Sequence, residues 1–261
     1  MFETIFLYLL ISLVFNIVLF LIAFKLQSDK LTDISYALTF MLIATIAFAS
    51  NDSTVYSLIA LLMVFAWAVR IGSFLLYRVI KVGKDARFDE MRSSFVKFGQ
   101  FWVLQGVSVW VLMIPFVLAM GGTHSDLGVL AYVGIAVFLA GLCIETISDL
   151  QKMRFNNKPE NKGKWIESGI WKYSRHPNYF GEILVWVGVY LYAVQVLSVP
   201  AALIALVSPL FISILLLFVS GIPLLEKSAD KRWGSEKAYR QYKERTSVLV
   251  PLPNRATSNE R

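Results

Sequence analysis

The hydrophobic positions of this chain fall in long unbroken runs, not in the short alternating or 3.6-residue patterns of a water-facing surface. Runs at about 4–24, 33–50, 55–77, 98–120, 128–148, 180–199 and 201–222 are each near the length that crosses a bilayer's hydrocarbon core. In lipid an isolated segment satisfies its own backbone only as a helix. The pattern therefore predicts an all-α membrane protein, a seven-transmembrane helical bundle. The second run starts on a charged residue, Asp33, and "SVP" joins the last two so tightly that they read either as two crossings or as a hairpin. The first run has no basic flank before it and no small-residue cleavage site after it, and reads as a retained helix.

Composition agrees: 57% of the 261 residues are hydrophobic and 16% charged, where a soluble domain carries about a quarter charged. Charge placement adds the orientation. Of the 25 Lys and Arg, all but Arg70 lie between the first and second runs, the third and fourth, the fifth and sixth, or after the seventh. The other three connections, "ASNDSTV", "GGTHSDLG" and "LSVPA", have none. Basic loops stay cytoplasmic, so the N-terminus is expected outside and the C-terminus inside. Topology then accounts for the net charge of +7, and no nucleic-acid partner is called for; the partner expected from the pattern is the lipid bilayer. The single Cys143 sits in an apolar run, which leaves no disulfide framework or zinc site. No internal repeat is evident, and the pattern does not specify an oligomeric state.

Several polar residues sit where a membrane helix should be apolar. Arg70 lies about two turns inside the third run; it either snorkels to the interface or meets a partner in the bundle, for which Asp33 is the candidate. Glu145, Asp149 and Lys152 share one helix face at the end of the fifth run. They read as a surface ion pair or as a polar ledge that, with Asn156 and Asn157, binds ribose hydroxyls and amides, while Lys152, Arg154 and Lys158 bind phosphates. The segment "GIWKYSRHPNYFGE", residues 169–182, is denser still. Pro177 pushes His176 towards an extended backbone, Asn178 is placed to cap the sixth helix, and Glu182 falls one turn inside it. A cap and an interfacial belt of Trp171, Tyr173 and Tyr179 explain part of this. Arg175, His176 and Glu182 remain, and together they form a polar pocket at the mouth of a bundle, beside a helix N-terminus suited to an anion.

The same segment resembles the signature of the steroid 5-alpha-reductase family in its broad bacterial branch. Sterol reductases carry a similar Arg-His-Pro-Asn-Tyr, and isoprenylcysteine carboxyl methyltransferases share its Arg-His-Pro part. "SDLQKMR", "VLQG", "RIGSFLLYR" and "ERTSVLVPLP" are also similar, and the likeness covers about 30–252. The resemblance implies a single integral-membrane domain over 1–261: about 1–125 enclosing a lipophilic small-molecule substrate, about 126–252 holding NADPH, and a tail from 253. It implies a bacterial inner membrane in preference to the endoplasmic reticulum. Glu145, Asp149, Asn156, Arg175, Asn178 and Glu182 would line the nucleotide site, with Tyr173, His176 and Tyr179 of the same segment. Arg70, Arg78 and Arg87 would approach it from the third span.

Animal steroid reductases polarise the substrate carbonyl with a Glu on the second span and a Tyr on the third. Here those positions fall at Asp33 and Trp67, so Asp33 and Tyr36, one turn apart, are the catalytic candidates with Arg70; a family Asn is replaced by Glu145. The activity implied is NADPH-dependent reduction of a carbon–carbon double bond conjugated to a carbonyl in a steroid-like or other lipid. The rival readings are an S-adenosylmethionine-dependent methyltransferase of the same fold, using the Arg-His-Pro segment and Glu226, and a non-catalytic lipid-binding protein. The orientation is directly testable. Reporter fusions at Ser53 and Gly122 should read as external, and fusions at Asp85, Lys162 and Arg255 as cytoplasmic; a cytoplasmic signal at Gly122 would remove the fourth or fifth span.

Overall fold

The computed structural model describes residues 1–28, 30–82, 91–121 and 126–254. The chain is all-α: α1 is Phe2–Lys25, α2 Lys30–Ala49, α3 Val55–Val82, α4 Phe95–Met120, α5 Val129–Asn156, α6 Pro177–Val194, α7 Val199–Ala205, α8 Val207–Ile214, α9 Ile222–Trp233 and α10 Lys237–Arg245. Among the described residues six helical stretches are long and apolar enough to cross a membrane, at 2–25, 31–49, 55–81, 95–120, 129–156 and 199–233. It is a multi-pass integral membrane protein. The expected run at 180–199 folds as α6 but is not one of the six, because its first two turns carry Asn178 and Glu182. The last run is not one continuous α-helix. It passes through α7, α8 and a π-turn at Leu215–Val219, then breaks at Ser220–Gly221 into the charged α9.

The chain divides into two compact units, one of 1–135 with 189–209, the other of 136–188 with 210–261. In the first, α4 is the central helix: 72% of its most apolar window is buried, against 28% for α1 and 33% for α3. Phe20 and Ala23 of α1 close on Phe98 and Trp102 of α4, with Phe20 and Phe98 edge to face at 5.8 Å. A polar seam joins α1, α2 and α4. Gln105 donates to Asn16 Oδ1 at 2.9 Å and to Ser35 Oγ at 2.8 Å. Asn16 donates to Thr39 Oγ1 at 3.1 Å, and Ser12 to the Gly106 carbonyl at 2.7 Å. With water absent, such bonds hold helices together at about 1 kcal/mol each. Pro115 lies inside α4 and leaves the Val111 carbonyl without its helical donor, and Ser208 donates to the adjacent Leu112 carbonyl at 2.9 Å. Tyr56 and Tyr192 stack at 4.4 Å, each phenol donating to the other's carbonyl at 2.6 and 2.7 Å.

In the second unit α5 and α6 cross at backbone contact. A Cβ on Gly141 would stand 2.6 Å from the Gly181 carbonyl oxygen, and one on Gly181 would stand 2.6 Å from the Glu145 nitrogen. The Gly of "NYFGE" is therefore a packing residue. α6 begins at Pro177, so the cap position falls on His176, and Asn178, expected as the cap, lies inside the first turn. Pro at the first position suits a helix start because its missing N–H would have no partner there. Gly181→Ala should destabilise the protein by about 1–3 kcal/mol through overpacking. Thermal unfolding in detergent measures this, and an unchanged melting temperature would mean that the two helices separate freely.

Candidate functional site

The segment 169–176 is held from both sides within the second unit. Ahead of it, Trp171 Nε1 donates to the Ser148 carbonyl of α5 at 3.0 Å, and the Ile170 N–H donates to Gln151 Oε1 at 2.9 Å. Behind it runs the chain that follows α10. Ser174 and Ser247 form an isolated parallel bridge, the Arg175 N–H donates to the Ser247 carbonyl at 2.9 Å, and Ser174 Oγ donates to that of Leu249 at 2.6 Å. The Leu252 N–H donates to the Tyr173 carbonyl at 3.2 Å, and the Tyr242 phenol to that of Trp171 at 2.9 Å. Burial pushes the Tyr242 phenol up, so it remains a neutral donor. The closing segment that looked merely familiar in sequence is thus the strap that fixes the Arg-His-Pro turn.

Glu226, on α9, joins this turn to α10. His176 Nε2 lies 2.8 Å from Glu226 Oε1, while Arg175 Nη1 and Lys243 Nζ lie 3.2 and 2.9 Å from Oε2. Lys243 also reaches Asp230 Oδ1 at 2.6 Å. Burial lowers the His176 pKa, against the opposing pull of Glu226, so the ring is neutral near pH 7. A carboxylate acceptor at Nε2 then places the ring proton there. Burial alone would lower Lys243, but Asp230 and Glu226 outweigh it and raise its pKa.

Against this hub opens a cleft of about 470 Å³, a size suited to a small molecule. Arg175, His176, Trp171 and Tyr242 form its buried part; Trp165, Trp233 and Tyr239 form an aromatic wall. Trp165 stands 5.2 Å from Tyr239 and 6.1 Å from Trp233, ring to ring. Lys152, whose ammonium sits 4.7 Å from the Trp171 ring, lines it with Asn156, Lys162, Lys164 and Arg232. Among the described residues Glu226 is the one carboxylate of the lining, and it is already engaged by three partners. Two buried donors that line the cleft, Trp165 Nε1 and Arg175 Nε, have no acceptor among the described residues. Orphaned buried donors are costly.

Of the residues expected at a nucleotide site, Asn156, Arg175 and His176 line this cleft. Tyr179 stacks on the His176 ring at 5.8 Å, and Asn178 and Glu182 follow it, half-buried, in the first turns of α6. Glu145 and Asp149 are buried on α5, with relative exposures of 2% and 7%. Tyr173 is exposed, its carbonyl taken by the strap. The remaining candidates belong to the first unit. Arg78 Nη2 donates to Asp33 Oδ2 at 2.9 Å, so the cation found against Asp33 is Arg78. Arg70 lies over the Phe74 ring at 5.7 Å. Tyr36 packs edge to face on Phe40 at 5.0 Å and on Trp67 at 6.1 Å. Arg87 lies outside the described residues. Sequence reasoning missed the aromatic wall and Lys243. The available signal was the aromatic content of "KWIESGIWKY" and "RWGSEKAYRQY", of which only Trp171 and Tyr173 were read, as interface anchors.

Among the described residues the chain combines helices long and apolar enough to cross a membrane with a polar, aromatic-walled cleft in its second unit. The chain belongs to the DUF1295 family, proteins of unknown function, whose model matches residues 19–246; that family is grouped in the steroid 5-alpha-reductase-like clan. No curated protein and no solved structure matches it.

Glu226→Gln should lower the stability of the protein by about 3 kcal/mol, the low end for a buried pair that loses one partner, since Glu226 is 19% exposed. Thermal unfolding in detergent reads this, and Lys243→Met should cost less in the Glu226→Gln background than alone. Full additivity would show that the two side chains do not act as one unit.

Proposed function

We propose that this chain is an integral-membrane, NADPH-dependent reductase acting on a carbon–carbon double bond conjugated to a carbonyl in a lipophilic substrate. The observation that carries the reading is the cleft: cationic, walled by Trp and Tyr, and lined by Trp165 and Arg175, each of which holds a buried N–H donor without an acceptor among the described residues. Aromatic rings offer stacking surfaces to a base or nicotinamide. Arg175, Lys152 and Asn156 offer hydrogen bonds to phosphate and ribose. An anion suits this set better than S-adenosylmethionine, whose sulfonium and ammonium groups call for a free carboxylate. Glu226, the group the methyltransferase reading would use, is paired with Arg175 and Lys243 and hydrogen-bonded by His176.

When bound, NADPH supplies a hydride to the carbon β to the carbonyl, and a proton completes the saturated product. The chain's own part is to orient and to polarise. Asp33 and Tyr36 are the groups for the carbonyl oxygen, and Tyr36 is the better donor because the Asp33 carboxylate already accepts from Arg78. In this reading α6 is a seventh crossing, the N-terminus is outside, and the cleft faces the cytoplasm, where reduced nucleotide is available.

Titration of the purified full chain in detergent with NADPH and with S-adenosylmethionine tests the assignment. Saturable NADPH binding is expected. Trp165→Phe keeps the ring and removes one orphaned donor, and should weaken that binding by about 1 kcal/mol, roughly fivefold. Saturable binding of S-adenosylmethionine with no response to NADPH would turn the assignment to a methyltransferase, and binding of neither to a lipid-binding protein.

A further inference from the structure

We infer that Lys162, Lys164 and Arg232 form a site for a phosphate monoester at the mouth of the cleft, and that this site selects NADPH over NADH. The inference rests on the nucleotide reading above and adds the groups that choose between the two cofactors. None of the three was marked by the sequence signature.

Gly163 separates the two lysines and adopts φ +83°, the left-handed region that favours glycine. Nothing lies within 4 Å of where its Cβ would stand, so the turn opens onto free space in the cleft. The turn is anchored. The Lys162 N–H donates to the Pro159 carbonyl at 3.1 Å, the Lys164 N–H to that of Asn161 at 3.0 Å, and the Trp233 indole donates to the Gly163 carbonyl. The Arg232 guanidinium lies 5.2 Å from the ring of that same Trp233. The Trp233 indole therefore touches both the backbone of the lysine turn and the Arg232 guanidinium. All three cations are exposed, and none makes an ion pair with a described residue.

Cations on this face are expected from topology alone, but topology spreads them and does not require a fixed geometry. Here an anchored turn and a helix end line the same aromatic-walled cleft, and among the described residues its lining has no carboxylate besides the engaged Glu226. Such a set favours a dianion with three acceptor oxygens. The phosphate that distinguishes NADPH from NADH is a monoester of that kind, and an anionic lipid headgroup such as phosphatidic acid offers the same chemistry.

The test is a comparison of NADPH, NADH, 2′-phospho-AMP and 5′-AMP binding to the full chain in phosphatidylcholine nanodiscs. Wild type should prefer NADPH by about tenfold or more, and 2′-phospho-AMP should compete where 5′-AMP does not. Lys162→Gln, Lys164→Gln and Arg232→Gln should each weaken NADPH severalfold while NADH stays within about twofold. Lys227→Gln removes another exposed cation of α9 that does not line the cleft, and should leave the preference intact. Equal binding of the two nucleotides by wild type would overturn the inference while sparing the nucleotide reading, and so would a preference that survives Arg232→Gln. Binding of neither nucleotide would overturn both. A preference abolished by adding phosphatidic acid to the nanodiscs would assign the cations to lipid and overturn the cofactor role.

Discussion

A carboxylate held among cationic side chains in a poorly solvated place cannot be left half-paired, because each unmatched charge there costs several kcal/mol. Glu226 is in that position, and it ties three stretches far apart in sequence: the Arg175–His176 turn, its own helix α9, and Lys243 of α10. Once Glu226 is placed, α10 must lie where Tyr242 reaches the Trp171 carbonyl, and the strap that follows must run beside Ser174. The cleft exists because these elements are drawn around one point while their aromatic side chains cannot fill the space between them.

Two solvents impose two kinds of glue on the chain. In the first unit, Asn16, Ser35, Thr39 and Gln105 are buried amides and hydroxyls bonded to one another across three helices. Lipid gives no hydrophobic incentive for helices to associate, so small polar contacts and close packing do that work. In the second unit the cluster around Glu226 is ionic, and it lies beyond the Ser220–Gly221 break that ends the apolar run. Also in the second unit, the Gly141–Gly181 crossing brings α5 and α6 to backbone contact and sets Glu145 beside the start of α6.

The membrane class and most of the spans were legible in the sequence, since a span is a one-dimensional property: its length and apolarity can be counted. The density of polar groups in 169–182 was legible too, and it led to a real cluster. What those residues do individually was not. Gly181 is a packing glycine, Asn178 is not the helix cap, and Asp33 accepts from Arg78, a pairing the sequence did not suggest. Each of these depends on helix rotation and register between segments, which no local pattern records.

By itself the sequence determined how much of the chain must be helical and apolar, and where its charged stretches lie, because transfer into lipid acts on each segment in turn. Only the tertiary structure decided that Trp165, Trp233 and Tyr239 form one wall, and that Glu226 is shared by a turn some 50 residues before it and a helix after it. It also showed that Trp165 and Arg175 keep donors without acceptors. The reason is physical: side-chain convergence is a sum over contacts distant in sequence, and one carboxylate pairs with whichever cations the fold carries within about 4 Å of it.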